Sequence, residues 1–277
     1  MRNILSLCLF LCLFSTLKAQ ENIETSTAEI KTNEVFHFAS TRPSFSEGCL
    51  LVPKGKAQIE FGVDYKFYKD VMHEIQHPSF LLKYGISEYF EFRINGDATT
   101  YKYADSVKTG FHPLFIGMKI KMIDAKRYAP GASFTGGLSV NYISTKNFRT
   151  KYVAPYFRIC MEQFLPKNVG LQYNYGLIWN GEDAKPTYQV AIATTYNKLF
   201  KSTDTKQRQL KYFFELYANY PHGEKFDLRV NTGIAFLINR FLQIDFSIGA
   251  GLLKNSPRIL SSAGLAIRFP KKEKKKE

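Results

Sequence analysis

The chain has 277 residues, 15% of them Phe, Tyr or Trp, and carries 38 Lys and Arg against 24 Asp and Glu, for a formal net charge of +14. Apart from the closing run KKEKKKE the two signs are interspersed, so there is no basic stripe of the kind that binds nucleic acid. Four cysteines, two of them at positions 8 and 12, are too few and too uneven for a disulfide framework, and the length suits one large domain.

Taken in order, residues 1–19 come first. A basic Arg2, an apolar run from Ile4 to Leu17 and the sequence Leu17-Lys18-Ala19 before Gln20 predict a secretory signal peptide. Its removal takes away Arg2 and Lys18 and lowers the charge from +14 to +12. Cys49 and Cys160 remain, to be read either as one bridge or as two buried thiols. Residues 20–53 begin with the polar, unpatterned ENIETSTAEIKTNE. They continue with FHFASTRPSFSEGCLLVPKG, whose prolines and glycines predict a packed irregular segment, periplasmic or plugging. No later apolar run is long enough for a helical membrane span.

From residue 54 to 269 a different rule governs. In QIEFGVDYKF, Gln58 to Phe67, the odd positions are Ile, Phe, Val, Tyr and Phe and the even ones Gln, Glu, Gly, Asp and Lys. Such alternation is the mark of a strand with one apolar face. It recurs over 80–86, 90–94, 114–122, 134–142, 152–164, 169–177, 188–196, 212–216, 226–236, 242–248 and 259–269, although Pro155 interrupts one copy. The count is about twelve strands of about ten residues, the length that crosses a bilayer when tilted; globular strands are about half as long. Tight connections at Ser87-Glu88, Pro166–Asn168 and Asn239-Arg240 alternate with longer polar ones at 69–76, 102–110, 144–149, 181–185, 221–225 and 254–257. Two connections, 124–131 and 201–206, are longer than this rhythm allows. Residues 270–277 form a basic tail, expected in the periplasm.

Alternation alone fits a soluble sandwich as well. Export, long strands in an even number, and short turns at one end with longer loops at the other favour a transmembrane antiparallel β-barrel of the bacterial outer membrane. A sheet in hydrocarbon must close, because an open edge leaves backbone groups unpaired. The apolar face then meets lipid and lipopolysaccharide, with Tyr and Phe near strand ends at the interfaces. The polar face lines the lumen, where Glu60, Asp64, Glu91, Arg93, Lys119, Glu215, Arg229 and Asp245 are the leading candidates, with Lys66, Asp97, Lys121 and Arg268 beside them. Charges so enclosed must pair or stay wet; they serve as an ion-pair frame, a selectivity lining, or both. Arg42, between Thr41 and Pro43, is positioned to anchor the preceding segment on lumen carboxylates. The last strand ends on Phe269, an aromatic of the kind the barrel-assembly machinery reads, although eight residues follow it.

Catalysis finds little support. His73 and His77 are four apart but Pro78 follows, so no helix aligns them as metal ligands. Neither a phosphate loop nor a CxxC pair is present, and no cofactor is expected.

Several stretches resemble a family. STRPSFSEGCLLVPKGKAQIEFGVDY is similar to the opening of a family of outer-membrane transporters best known from Bacteroidetes and named for the MetA pathway of phenol degradation, with Thr41 where its TDRP-like box carries Asp. LLKYGISEYFEFRING, LQYNYGLIWNG, FFELYANY and LQIDFSIGAGL through GLAIRF resemble its later strands, so that the likeness covers most of residues 40–269. The resemblance implies an outer-membrane barrel with a transport role and supplies no substrate; the family's name alone suggests a small, hydrophobic or aromatic molecule. The alternatives carried forward are a structural or surface-interaction barrel with a closed lumen and, third, an outer-membrane enzyme.

Overall fold

The computed structural model of the chain describes residues 36–68, 72–126, 129–200 and 208–269. The signal-peptide and tail readings and the 201–206 connection lie outside the described residues, as does the first part of the 20–53 segment.

The strands are β1 (Ala57–Tyr68), β2 (Met72–Gly85), β3 (Phe90–Lys102), β4 (Val107–Phe111), β5 (Leu114–Ile123), β6 (Gly131–Val140), β7 (Pro155–Leu165), β8 (Val169–Trp179), β9 (Pro186–Leu199), β10 (Gln209–Pro221), β11 (Asp227–Asn239), β12 (Leu242–Gly251) and β13 (Ile259–Phe269). Each pairs antiparallel with its neighbours, and β1 pairs with β13 from Ala57↔Phe269 to Phe67↔Ile259. That seam closes the sheet into a twelve-stranded barrel, the transmembrane fold expected from the alternation. The thirteenth strand, β4, stands outside the ring. It pairs with the outer half of β3, while β5 pairs with the inner half.

The faces divide as the opening stretch requires. Gln58 and Glu60 are buried, whereas Phe61 and Val63 are exposed at 37% and 50%. Around the barrel Ile116, Ile159, Val190, Phe214, Ile234 and Phe246 are likewise exposed. A belt of outward apolar side chains over a buried polar interior inverts a soluble protein and suits a hydrocarbon surround. Tyr84, Tyr89, Tyr196, Tyr212, Phe241 and Phe269 ring the end that holds the tight turns. Phe111, Tyr152, Tyr188, Tyr220 and Phe226 ring the other end, as interfacial girdles do.

The loops depart from expectation in places. The 69–76 connection is mostly strand: β1 and β2 stay paired out to Tyr68↔Met72, with an irregularity between Gln76 and Ser79 beside Pro78. The 102–110 connection contains β4. Both hairpins rise past the apolar belt, where water on each side removes the need for alternation, so a period-2 search stops early. The strand expected to reach Tyr142 ends at Val140, and Asn141–Ile143 and Lys146–Phe148 are short 3-10 turns. Pro155 is the first residue of β7, a place where a strand loses no ladder bond to a proline.

Candidate functional site

Residues 36–56 have no regular structure, and their contacts run to inward-facing side chains from almost every strand. An irregular backbone enclosed by a barrel has no ladder to satisfy its N–H groups, so side chains must do it. Acidic and amide groups supply the acceptors. The Thr41 amide and hydroxyl donate to Glu60, the hydroxyl at 2.6 Å. Phe45 N donates to Glu215 Oε1, and Ser46 N and Oγ both donate to Oε2, all at 2.8 Å. Glu47 N donates to Asn174 Oδ1 at 2.7 Å, and Asn174 Nδ2 returns a bond to Glu47 O at 2.8 Å. Cys49 N donates to Glu162 Oε2 at 3.1 Å and Val52 N to Glu91 Oε2 at 2.5 Å.

Two charged knots hold the segment. At the first, Arg42 Nε pairs with Asp245 Oδ1 at 3.3 Å, Nη1 lies 3.6 Å from Asp64 Oδ1, and Nη2 donates to Ser262 Oγ at 2.5 Å. Its guanidinium lies across Gly62 and Gly264, register partners on β1 and β13; a Cβ on either glycine would run into it. At the second, Glu47 pairs with Arg93 and, at 2.7 Å, with Lys119, whose Nζ also donates to Gly48 O at 2.6 Å. Arg93 Nε reaches Glu91 Oε1 at 2.6 Å. Lys83 pairs with Glu60 at 2.6 Å and donates to Ala39 O at 2.8 Å. Burial alone would raise the Glu47 carboxyl, but Arg93 and Lys119 overcome it and hold the group well below the ordinary carboxylate range.

Of the sequence-predicted residues, Glu60, Asp64, Glu91, Arg93, Lys119, Glu215, Asp245 and Arg42 all meet at this segment. Arg229 does not. It pairs with Asp227 and lies over the Tyr217 ring at 5.8 Å, nearer the outer end. Lys66 pairs with Glu74 at 2.7 Å and Asp97 with His112 at 2.6 Å. Lys121 pairs at 2.8 Å with the exposed Asp124 at the tight-turn end, away from both knots. Arg268 Nε donates to Gln58 Oε1 at 3.0 Å and its guanidinium covers the Phe38 ring at 4.4 Å. The two histidines weighed as ligands go elsewhere: His73 bonds the Tyr65 hydroxyl and His77 the Thr100 hydroxyl, each at 2.8 Å.

Five charged residues were missed. Lys83 and Lys211 share the inward parity of their strands and could have been read from it. Arg158 and Glu162 lay in the stretch blurred by Pro155. Glu47 sits in irregular chain, where no period exists to place it.

Cys49 and Cys160 are separate buried thiols. Burial, with Glu162 beside it, pushes the Cys49 thiol up to about 12. We expect both cysteines to resist a maleimide in the detergent-folded protein at neutral pH and to react fully after denaturation, as read by mass shift.

Space in the barrel is divided by this segment. Beyond it, toward the longer loops, lies a chamber of about 470 Å³, lined by Phe45, Phe80, Phe115, Tyr156 and Ile178 together with Arg42, Asp97 and Arg158. A second chamber of about 430 Å³ shares Pro43, Ser44 and Phe45 with it and runs along Tyr217, Arg229 and Ser262. On the tight-turn side lies a pocket of about 60 Å³ that includes Lys211 in its lining.

Comparison with solved structures places the fold. An outer membrane channel from Pseudomonas putida F1 matches with a TM-score of 0.53 at 10% identity, covering 80% of this chain and 98% of that one. The KdgM porin in complex with disordered oligogalacturonate matches with a TM-score of 0.50 at 9% identity, covering 77% of this chain and 99% of that one. No curated protein matches the sequence. Similarity at this level establishes a shared architecture, that of outer-membrane β-barrels. Kinship rests on sequence: the profile described as "Putative MetA-pathway of phenol degradation" matches residues 40–269, from the box that carries Arg42 to the last residue of β13, and the chain belongs to that family.

Proposed function

We propose that the protein is a passive channel of the bacterial outer membrane, plugged from the periplasmic side by residues 36–53 and passing a small aromatic or otherwise amphipathic solute. The observation that carries this reading is the uneven filling of the lumen. One end is packed to about 60 Å³ by the segment, while the other keeps chambers of about 470 and 430 Å³. A barrel serving only as a scaffold has no need of two open chambers above a packed base. Volumes of several hundred Å³ suit a small molecule. Phe45, held flat against Tyr217 with ring centroids 4.3 Å apart, and Phe80, Phe115 and Tyr156 supply aromatic surface. Arg158, which donates to Phe45 O at 3.1 Å and lies over that ring at 4.7 Å, supplies a cation at its edge. The fold shared with a channel and a porin supports the same reading, with the barrel's outer face in lipid.

Liposome swelling tests it. Proteoliposomes are expected to admit monocyclic aromatic acids and phenols roughly an order of magnitude faster than disaccharides, which are larger and lack a stacking face. Equal, near-zero rates for both classes, from a barrel that still shows heat-modifiable mobility on gels, would favour the closed scaffold instead.

A further inference from the structure

The pocket on the periplasmic side of the segment has a charge pattern that the packing around it does not require. Five charged side chains reach it: Glu47, Lys83, Lys119, Glu162 and Lys211. Four are engaged. Lys83 is paired with Glu60 and Lys119 with Glu47. Glu162 has both oxygens occupied by neutral donors, Oε1 by Gln172 Nε2 at 2.8 Å and Oε2 by Cys49 N. Lys211, near the start of β10, makes no ion pair or hydrogen bond with any described residue. Next to it on the same inward parity, Gln209 is buried, and its Oε1 has no partner either.

A cation left without a partner inside a barrel is costly unless water or a mobile anion visits it. The pocket has room for either: about 60 Å³ accommodates roughly four water molecules. It is the smallest of the three spaces described, and it meets the outer chamber at Thr41 and Glu47, which line both. Any ion that crosses beside the segment passes within reach of the Lys211 ammonium with little water around it, where a fixed charge acts most strongly.

We propose that Lys211 is the selectivity-determining residue of the conduction path, and that the pocket around it is a transient site for small anions such as chloride or a carboxylate. This rests on the channel reading above. Direct bonds fasten the segment to β1, β3, β5, β12 and β13 and also to β7, β8 and β10, the last three through Glu162, Asn174 and Glu215, and the pocket that holds Lys211 is a space left open beside it on the tight-turn side.

Reversal potentials of the folded full-length protein in a planar bilayer under a KCl gradient test the assignment. The wild type is expected to favour chloride. Lys211→Glu is expected to lower the chloride-to-potassium permeability ratio by roughly tenfold, Lys211→Met by less, and Lys211→Arg to preserve it. Should Lys211→Glu fail to fold, Lys211→Cys replaces it. The other two thiols of the mature chain are buried, so a charged methanethiosulfonate added to the open channel reports on this position, a negative adduct weakening chloride preference and a positive one restoring it. Conducting variants with the wild-type permeability ratio overturn the role of Lys211 while leaving the channel standing. A folded wild type that conducts nothing, even with Arg42 replaced, overturns the channel reading and this assignment together.

Discussion

Single-channel conductance is expected to rise roughly twofold or more when Arg42 is replaced by alanine, with longer open times and greater current noise. The guanidinium ties the irregular segment to both sides of the β1–β13 seam. It spans Asp64 and Asp245 and donates to Ser262 and, at 3.4 Å, to Ser79, so four side chains on four strands lose a partner at once. The Asp245 side chain is fully shielded, so its charge would be left without compensation. Removing one member of such a pair costs about 3–5 kcal/mol when both are dry. Because Asp64 keeps 24% of its side-chain surface, the lower part of that range applies here. Lysine would not rescue: a point charge on a flexible stem cannot reach Asp64, Asp245 and Ser262 in the directions the planar fork does. The glycines give an independent check. At Gly62 the three atoms nearest to an added Cβ all belong to the Arg42 guanidinium, so Gly62→Ala should reproduce the Arg42→Ala currents with Arg42 still present. Wild-type conductance in both variants would mean that this segment does not obstruct the pore.

The barrel could be read from the sequence because its physics is periodic. A strand in a bilayer must show lipid one face and the lumen the other, so Ile59, Phe61 and Val63 against Gln58, Glu60 and Asp64 announce both the strand and the side on which each residue stands. The same rule located Glu91, Arg93, Lys119, Glu215 and Asp245, and it held Lys83 and Lys211 as well for anyone applying it to every strand. What escaped was whatever lies outside the hydrocarbon slab or off the ladder. β4 and the outer end of β2 are strands in water, where Val107, Lys108 and Thr109 need no alternation. Glu47 is held by contacts more than forty residues away along the chain, with Arg93 and Lys119, and no local pattern encodes them. The irregular segment was expected to plug or to tether. Which carboxylate would take which amide depended on the strand register and the path of residues 41–52, and neither is written in composition or spacing.

Replacing Glu47 should have the largest effect on stability of any single substitution in the segment. Its carboxylate is shared by Arg93 and Lys119, all three buried, and the two cations have unequal alternatives. Arg93 keeps Glu91, whereas Lys119 keeps only the Gly48 carbonyl. Glu47→Ala therefore strands the Lys119 ammonium in a dry interior, and the expected loss is about 3–5 kcal/mol. The gel-shift melting midpoint should fall accordingly, with the segment opening before the strands do. Pairing the change with Lys119→Met removes the stranded charge and should recover a large part of the loss, because an ion pair replaced by apolar side chains of similar volume is close to neutral. Acid provides a further discrimination. Since the Glu47 carboxyl titrates well below its ordinary value in the folded protein, its contribution is complete above that ordinary value and is lost only as pH falls through the depressed one. The Glu47 contribution to the melting midpoint should thus be undiminished between about pH 7 and pH 5 and be lost only in stronger acid. Glu47→Gln should show the lowered midpoint across the whole range. A Glu47→Ala protein as stable as the wild type, with no recovery to be gained from Lys119→Met, would place the segment's anchorage at its other contacts, with Arg42, Glu60 and Glu215.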